Sequence, residues 1–333
     1  MNRFKKTLSL LMLLAIFSGA AGAKTLKIAT LAPAGTTWMK EMKAGSKLIT
    51  QRTEGRVKLK FYPGGVMGND QSVHRKIRIG QLHGGAFTPG GLARVDSSIQ
   101  SLGLPMLFKS LDEVDYVRQR VDPLMKQQME AKGFVILGIS GGGFARILSK
   151  QPLRDLESIR ASKVWMPEGD NVGRTVFGAL GITPISLPIS DVFTGLQTGL
   201  IETVAVHPTS AIAFQWHTST TYMTDVPIGY IVGVLAVQKK AFNKLSAPDQ
   251  AIVREEMSKV FEHMDKLNRD DNQAAKAALA NQGITFIDAN PGEVDRWRQI
   301  SAQSVDDMIA AGVVSREVVG EVRNHLQEFR NSQ

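Results

Sequence analysis

Apolar positions along the chain switch repeatedly between two periods. Val57, Leu59 and Phe61 alternate with Lys58 and Lys60, the spacing of a strand with one buried face. Ahead of them, Trp38, Met42, Gly45 and Ile49 recur every three or four residues and line one side of a helix that stops at Gly55. The same reading predicts strands over Leu26–Leu31, Gln81–Phe87, Phe134–Ile139 and Tyr230–Val237, and helices over Asn69–Ile79 and Leu111–Lys132. Between Ser162 and Pro208, short β-branched runs at Val164, Thr183–Ser186 and Thr203–Val206 alternate with helical stripes. The stripes are Val172, Val176, Leu180 and then Val192, Phe193, Leu196, and Gly181 and Gly199 follow them as stops. Strand, helix, strand, helix, strand is the order of parallel βαβ units, whose ligands gather at the carboxyl ends of the strands.

From Ala247 to Asn281 strong helix formers run without an internal glycine, and the one proline sits in the first turn. Such a helix measures roughly 50 Å, more than a single α/β lobe needs. Gly292–Ala311 and Ser315–Phe329 read as two further amphipathic helices.

Three stretches carry a family likeness. Lys163-Val164-Trp165-Met166-Pro167, Ala179-Leu180-Gly181, Pro184-Ile185-Ser186-Leu187-Pro188 and the run Ser190–Gly199 form the first; Gly55-Arg56-Val57 with Tyr62–Gly68 the second; Leu104-Pro105-Met106-Leu107-Phe108 the third. Together they resemble the extracytoplasmic solute-binding subunits of TRAP transporters, the dicarboxylate-binding-protein-like family. The resemblance implies an α/β, two-lobed periplasmic-binding-protein-like fold with a hinge and a long lobe-spanning helix. It places residues 24–146 with 231–264 in lobe I, and 147–230 with 265–330 in lobe II. It also implies a small organic solute in the interlobe cleft, membrane transporter subunits as partner, and a monomer or a helix-swapped dimer.

Composition agrees. A chain of 333 residues, 43% hydrophobic and 21% charged, can bury one large or two medium cores. Arg3, Lys5 and Lys6 precede the apolar run Leu8–Phe17, and Ala21-Gly22-Ala23 offers small residues for cleavage, so residues 1–23 read as a secretory signal peptide. With no cysteine there is no disulfide framework and no lipid attachment point, and a soluble periplasmic protein is expected. Loss of the three leader cations from 40 Lys and Arg leaves 37 against 31 acids, net +6, spread along the chain and not interleaved with aromatics; nucleic acid is not an expected partner. The six histidines show no i, i+4 pair, and no nucleotide-binding glycine fingerprint occurs, so neither metal nor cofactor is expected.

The candidate site departs from the family pattern. Where organic-acid-binding members keep a cleft arginine, the resemblance aligns Trp165; Ile189 replaces a frequent aromatic, and Val206 ends a run that in relatives carries polar residues. Three cleft positions thus become apolar together, and the carboxylate that helps some relatives hold a cation is replaced by Ala205. The expected ligand is apolar-bodied or a monocarboxylate, with an indole in place of a guanidinium. Arg146 has two readings: facing the ligand, or in a salt bridge away from it, depending on a bulge in Gly141–Gly143. Trp38 either roofs the cleft or packs in the core. Thr88, Pro89 and Gly90 offer backbone donors or a plain turn; Asn69 and Asp70 reach ligand or cap a helix; Trp216 lines the pocket or packs. The rival reading is a serine esterase, since Gly138-Ile139-Ser140-Gly141-Gly142 follows an apolar strand, with Asp225 and His263 later in triad order. Without a helical run after Ser140, that word fits a chain crossing between lobes better, and the protein is not expected to be an enzyme.

Overall fold

Strands and helices alternate through residues 23–333, which the computed structural model describes; the leader expected over 1–23 lies outside them except for Ala23. The chain opens with β1 (Lys24–Thr30), α1 (Thr37–Arg52), β2 (Val57–Tyr62), α2 (Asp70–Arg78), β3 (Gly84–Phe87) and the short α3 (Pro89–Leu92). Thr36, Asn69 and Thr88 start the three helices, each side chain accepting a hydrogen bond from an amide of the first turn. A 3₁₀ segment, Ser97–Gly103, leads to α4 (Leu111–Ala131) and then β4 (Phe134–Ser149). Next come α5 (Leu156–Ala161), β5 (Trp165–Pro167), α6 (Asn171–Ala179), β6 (Ile185–Leu187), α7 (Val192–Thr198), β7 (Thr203–Val206) and α8 (Pro208–Ala213). β8 (Tyr222–Gln238) and α9 (Lys239–Phe242) lead into α10 (Ala247–Asn281), and β9 (Thr285–Ile287), α11 (Glu293–Ala310) and α12 (Arg316–Asn331) complete the chain.

One sheet, in the order β2-β1-β3-β8-β4-β7 with β9 on β8, runs through both lobes, and β5 and β6 form a separate parallel pair. Its spine is the antiparallel pair β4 and β8, matched from Phe134 opposite Gln238 to Ser149 opposite Tyr222. Both strands are far longer than the apolar pattern predicts. Phe134–Ile139 and Tyr230–Val237 are only their lobe I halves, because Gly141–Gly143 break the pattern without ending the strand. The register shifts there and at two other places, the mark of bulges that bend and twist a ladder.

The long helix α10 takes over where the ladder fails. Asp265 accepts the amide of Gly141 at 2.7 Å, Asn268 Nδ2 donates to the Gly141 carbonyl at 2.7 Å, and Asn272 Nδ2 donates to that of Gly142 at 2.6 Å. Spaced three and four apart, the three side chains share one helix face. Asp265 also accepts from Arg118, which binds Asp122 and the Ile139 carbonyl as well, so the crossing is tied to α4.

The boundaries drawn at 146/147, 230/231 and 264/265 fall inside β4, β8 and α10, continuous elements that cross between lobes. The last helix departs from the expected division. α12 buries Val318, Val322 and Leu326 against Val114, Val117, Val121 and Met125 of α4, and so packs on lobe I. Its apolar stripe meets a matching stripe there, a pairing that sequence order does not reveal.

Glycine in β4 is required for close approach. A β-carbon on Gly138 would stand 2.1 Å from the ring of buried Phe261. Gly138→Ala should therefore cost about 1 to 3 kcal/mol by overpacking. Gly178→Ala in α6, with open space around it, should instead stabilise by about 0.5 to 1 kcal/mol. Urea denaturation of the two variants checks the opposite signs.

Candidate ligand-binding cleft

Where the strands of the two lobes end, their loops enclose a cavity of about 540 Å³. Lobe I contributes Thr36 and Trp38, where the loop after β1 enters α1, and Thr88, Pro89 and Gly90, where β3 passes into α3. Lobe II contributes Trp165 of β5, Ile189 beyond β6, Val206 and His207 at the end of β7, and Trp216. Ser140 and Gly142 of β4 and Asn268 and Asp271 of α10 meet between them.

Trp165 is only 4% exposed. Its indole Nε1 donates to the Leu187 carbonyl at 3.0 Å, and its ring stands edge-on to Trp216 at 5.3 Å, with Phe214 stacked on Trp216. Its polar atom is thus engaged within the protein, and what it can offer a guest is apolar surface. Trp38 both lines the cavity and packs edge-on against Phe261.

Arg146 is placed elsewhere, which corrects its reading as a ligand-facing residue. Its neighbours Ala145 and Ile147 line the cavity, so the alternation of β4 turns Arg146 to the opposite face. There its Nε donates to Asp225 at 2.5 Å, and Lys276 binds the other oxygen of the same carboxylate. Asn69 and Asp70 also stay outside the lining. Asn69 accepts from the Ser72 amide and donates to Glu168 at 2.9 Å, a bridge from lobe I to lobe II. Asp70 accepts from Thr88 Oγ1, and burial raises its pKa to about 6.

His207 was not singled out by its spacing, yet it lines the cavity beside Ser210, whose Oγ lies 2.8 Å from Nε2. Burial pushes its pKa down to about 4, so it is a neutral imidazole at pH 7. The available signal was its place directly after β7, at the carboxyl end of a strand. Asn268 and Asp271 were also missed, because nothing in a helical pattern shows which polar face looks into a cleft. Among the described residues no lysine or arginine lines the cavity, whereas Glu168, Asp170 and Asp271 do. Ser140 sits inside β4 with its Oγ accepting from Asn268, and Asp225 is committed to Arg146 and Lys276. The Ser140 word is therefore part of a crossing strand and not a nucleophile elbow.

The family model described as "Bacterial extracellular solute-binding protein, family 7" matches residues 28–311. Among curated proteins, a solute-binding protein of Sulfitobacter sp. (strain NAS-14.1) is 25% identical over 244 residues, 72% of this chain and 74% of that one. The C4-dicarboxylate-binding periplasmic protein DctP of Rhodobacter capsulatus is 22% identical over 269 residues, 79% of each. Among solved structures, a TRAP periplasmic solute binding protein from Desulfovibrio salexigens with bound orotic acid superposes with a TM-score of 0.85 at 15% identity, covering 92% of this chain and 99% of that one. One from Haemophilus influenzae with bound L-gulonate gives 0.84 at 20% identity, covering 90% and 99%.

His207 and Asp70 act on stability with opposite sign as pH changes. Unfolded His207 takes a proton near 6.5 and the folded group only near 4, so the unfolded state binds more protons in that window and stability is lost as pH falls through it. Asp70 ionises near 6 when folded against 3.8 unfolded, so its contribution is complete below 3.8 and is lost as pH rises through 6. Denaturant titrations from pH 7 to pH 4 should show Asp70→Asn losing stability more steeply than wild type on acidification. His207→Gln should lose it less steeply, by up to about 3 kcal/mol. Three parallel profiles would contradict these assignments.

Proposed function

The chain belongs to family 7 of the bacterial extracellular solute-binding proteins, and on that premise we propose that it captures an organic solute with an apolar body in its interlobe cleft, in the periplasm, and presents it to the membrane subunits of a TRAP-type transporter. The observation that carries the ligand class is that, among the described residues, the lining holds no lysine or arginine and does hold Trp165. Relatives named for C4-dicarboxylates, or solved with orotic acid or L-gulonate, hold acids. A carboxylate taken from water into this cleft would give up several kcal/mol of hydration without a cation to replace it. Glu168 and Asp271 oppose a further negative charge. With Arg146 turned away, a neutral solute fits better than the monocarboxylate that the sequence left open.

Capture follows from the crossings. A solute that touches both lobes favours the closed arrangement, whose outer surface the membrane partner reads. The bridge from Asn69 to Glu168 spans the same gap and holds the lobes together at the cleft mouth.

Native mass spectrometry of the purified protein, followed by denaturation, should release a molecule with a substantial apolar body and no pair of carboxylates. Calorimetry should then show Trp165→Ala binding it at least tenfold more weakly, about 1.4 kcal/mol, with Trp165→Phe between the two. Tight uptake of succinate, or equal affinity in Trp165→Ala, would sink the proposal.

A further inference from the structure

The cavity does not end at the cleft. It continues into lobe II, where Leu156 and Ile159 of α5, Phe177 of α6, Leu180, Ile182 and Trp297 of α11 wall a chamber. Val164 and Trp165 are successive residues and face opposite ways. Trp165 packs with Trp216 on one side, while Val164 packs with Ile159, Ile182 and Trp297 on the other. The chamber therefore lies across β5 from the indole. Most of its walls are buried, Leu156 1% exposed, Trp297 4% and Ile182 5%, while Phe177 and Leu180 are half-buried.

Polar groups are scarce there. Trp297 Nε1 is committed to Glu293 Oε2 at 2.8 Å, and Ser301 supplies one hydroxyl among the lining side chains of this arm. An ordered water needs two to four polar partners, and a sugar or an anion would leave its own groups unpaired. Protein interiors normally close up to crystal-like density, so an arm of the cavity that reaches into this apolar cluster is suited to a guest of the same chemistry.

We propose that this chamber receives the hydrocarbon tail of a single-chain amphiphile, whose uncharged polar end stays in the cleft beside His207, Ser210 and Asn268. The assignment rests on the cation-free reading of the cleft and adds a second subsite to it. The polar end is a hydroxyl or carbonyl, because the groups facing it are neutral hydrogen-bonding side chains or carboxylates. The tail is selected by length and the polar end by the lack of charge.

Binding of straight-chain primary alcohols, from butanol to decanol, to the full mature protein tests this by calorimetry. Kd should fall about fourfold for each added methylene, the equivalent of ~0.8 kcal/mol, until the chamber is full. Ile182→Phe should bring the plateau at a shorter chain and Ile159→Ala at a longer one. Absence of alcohol binding, affinity independent of length, or one plateau shared by wild type and both variants would overturn the chamber. A length-independent series that Trp165→Ala weakens uniformly would overturn the chamber and leave the cleft reading intact. Succinate binding tighter than every alcohol would overturn both.

Discussion

Everything in the molecule depends on how a β ladder crosses from one lobe to the other without breaking. β4 and β8 must stay paired over sixteen or so residues while twisting enough to present two lobes to one cleft, and bulges at Gly141–Gly143 provide that bend. Bulges strip amides and carbonyls of their partners, and buried backbone groups cannot remain unpaired. Asp265, Asn268 and Asn272 of α10 supply the missing bonds. The brace is thus a hydrogen-bonding template as well as a spacer. Because it fixes the phase of β4, it also decides that Ala145 and Ile147 face the cavity and Arg146 does not.

The electrostatics of the cleft follow from that phase. Arg146 is held by Asp225, which Lys276 also binds, so its charge is used to join β4, β8 and α10. Inside, burial drives the His207 imidazole neutral and raises the Asp170 carboxyl, and it raises Asp70 just outside the lining as well. A site built this way has little electrostatic attraction for an anion. Its attraction is contact area.

Much of this was legible in the sequence, for reasons that differ by residue. α10 could be read end to end because helix formers run unbroken, and β2 because Lys58 and Lys60 alternate with apolar neighbours. Trp165, Ile189 and Val206 were found through family words that lie at strand ends. The far halves of β4 and β8 were not legible: glycines and bulges break the period that identifies a strand, and the bulges were needed to know which way Arg146 points. His207 escaped because a lone histidine has no spacing to betray it. The proposed lobe II chamber escaped for a deeper reason, since Leu156, Ile159, Ile182 and Trp297 look like ordinary core residues, and only the folded structure shows that the cavity reaches them.

Selectivity in such a cavity has to work mainly by exclusion. A site with a paired arginine rejects a neutral analogue strongly, because the analogue leaves a buried charge unmatched. Apolar walls reject a homologue one methylene shorter or longer by only about 1 to 3 kcal/mol. The cleft as proposed reverses the first of these and keeps the second: Glu168 and Asp271 in the lining would penalise acids, while the proposed chamber would grade neutral guests by size. A receptor of the proposed kind would discriminate sharply against the ligands its relatives are named for and only gradually among members of its own class.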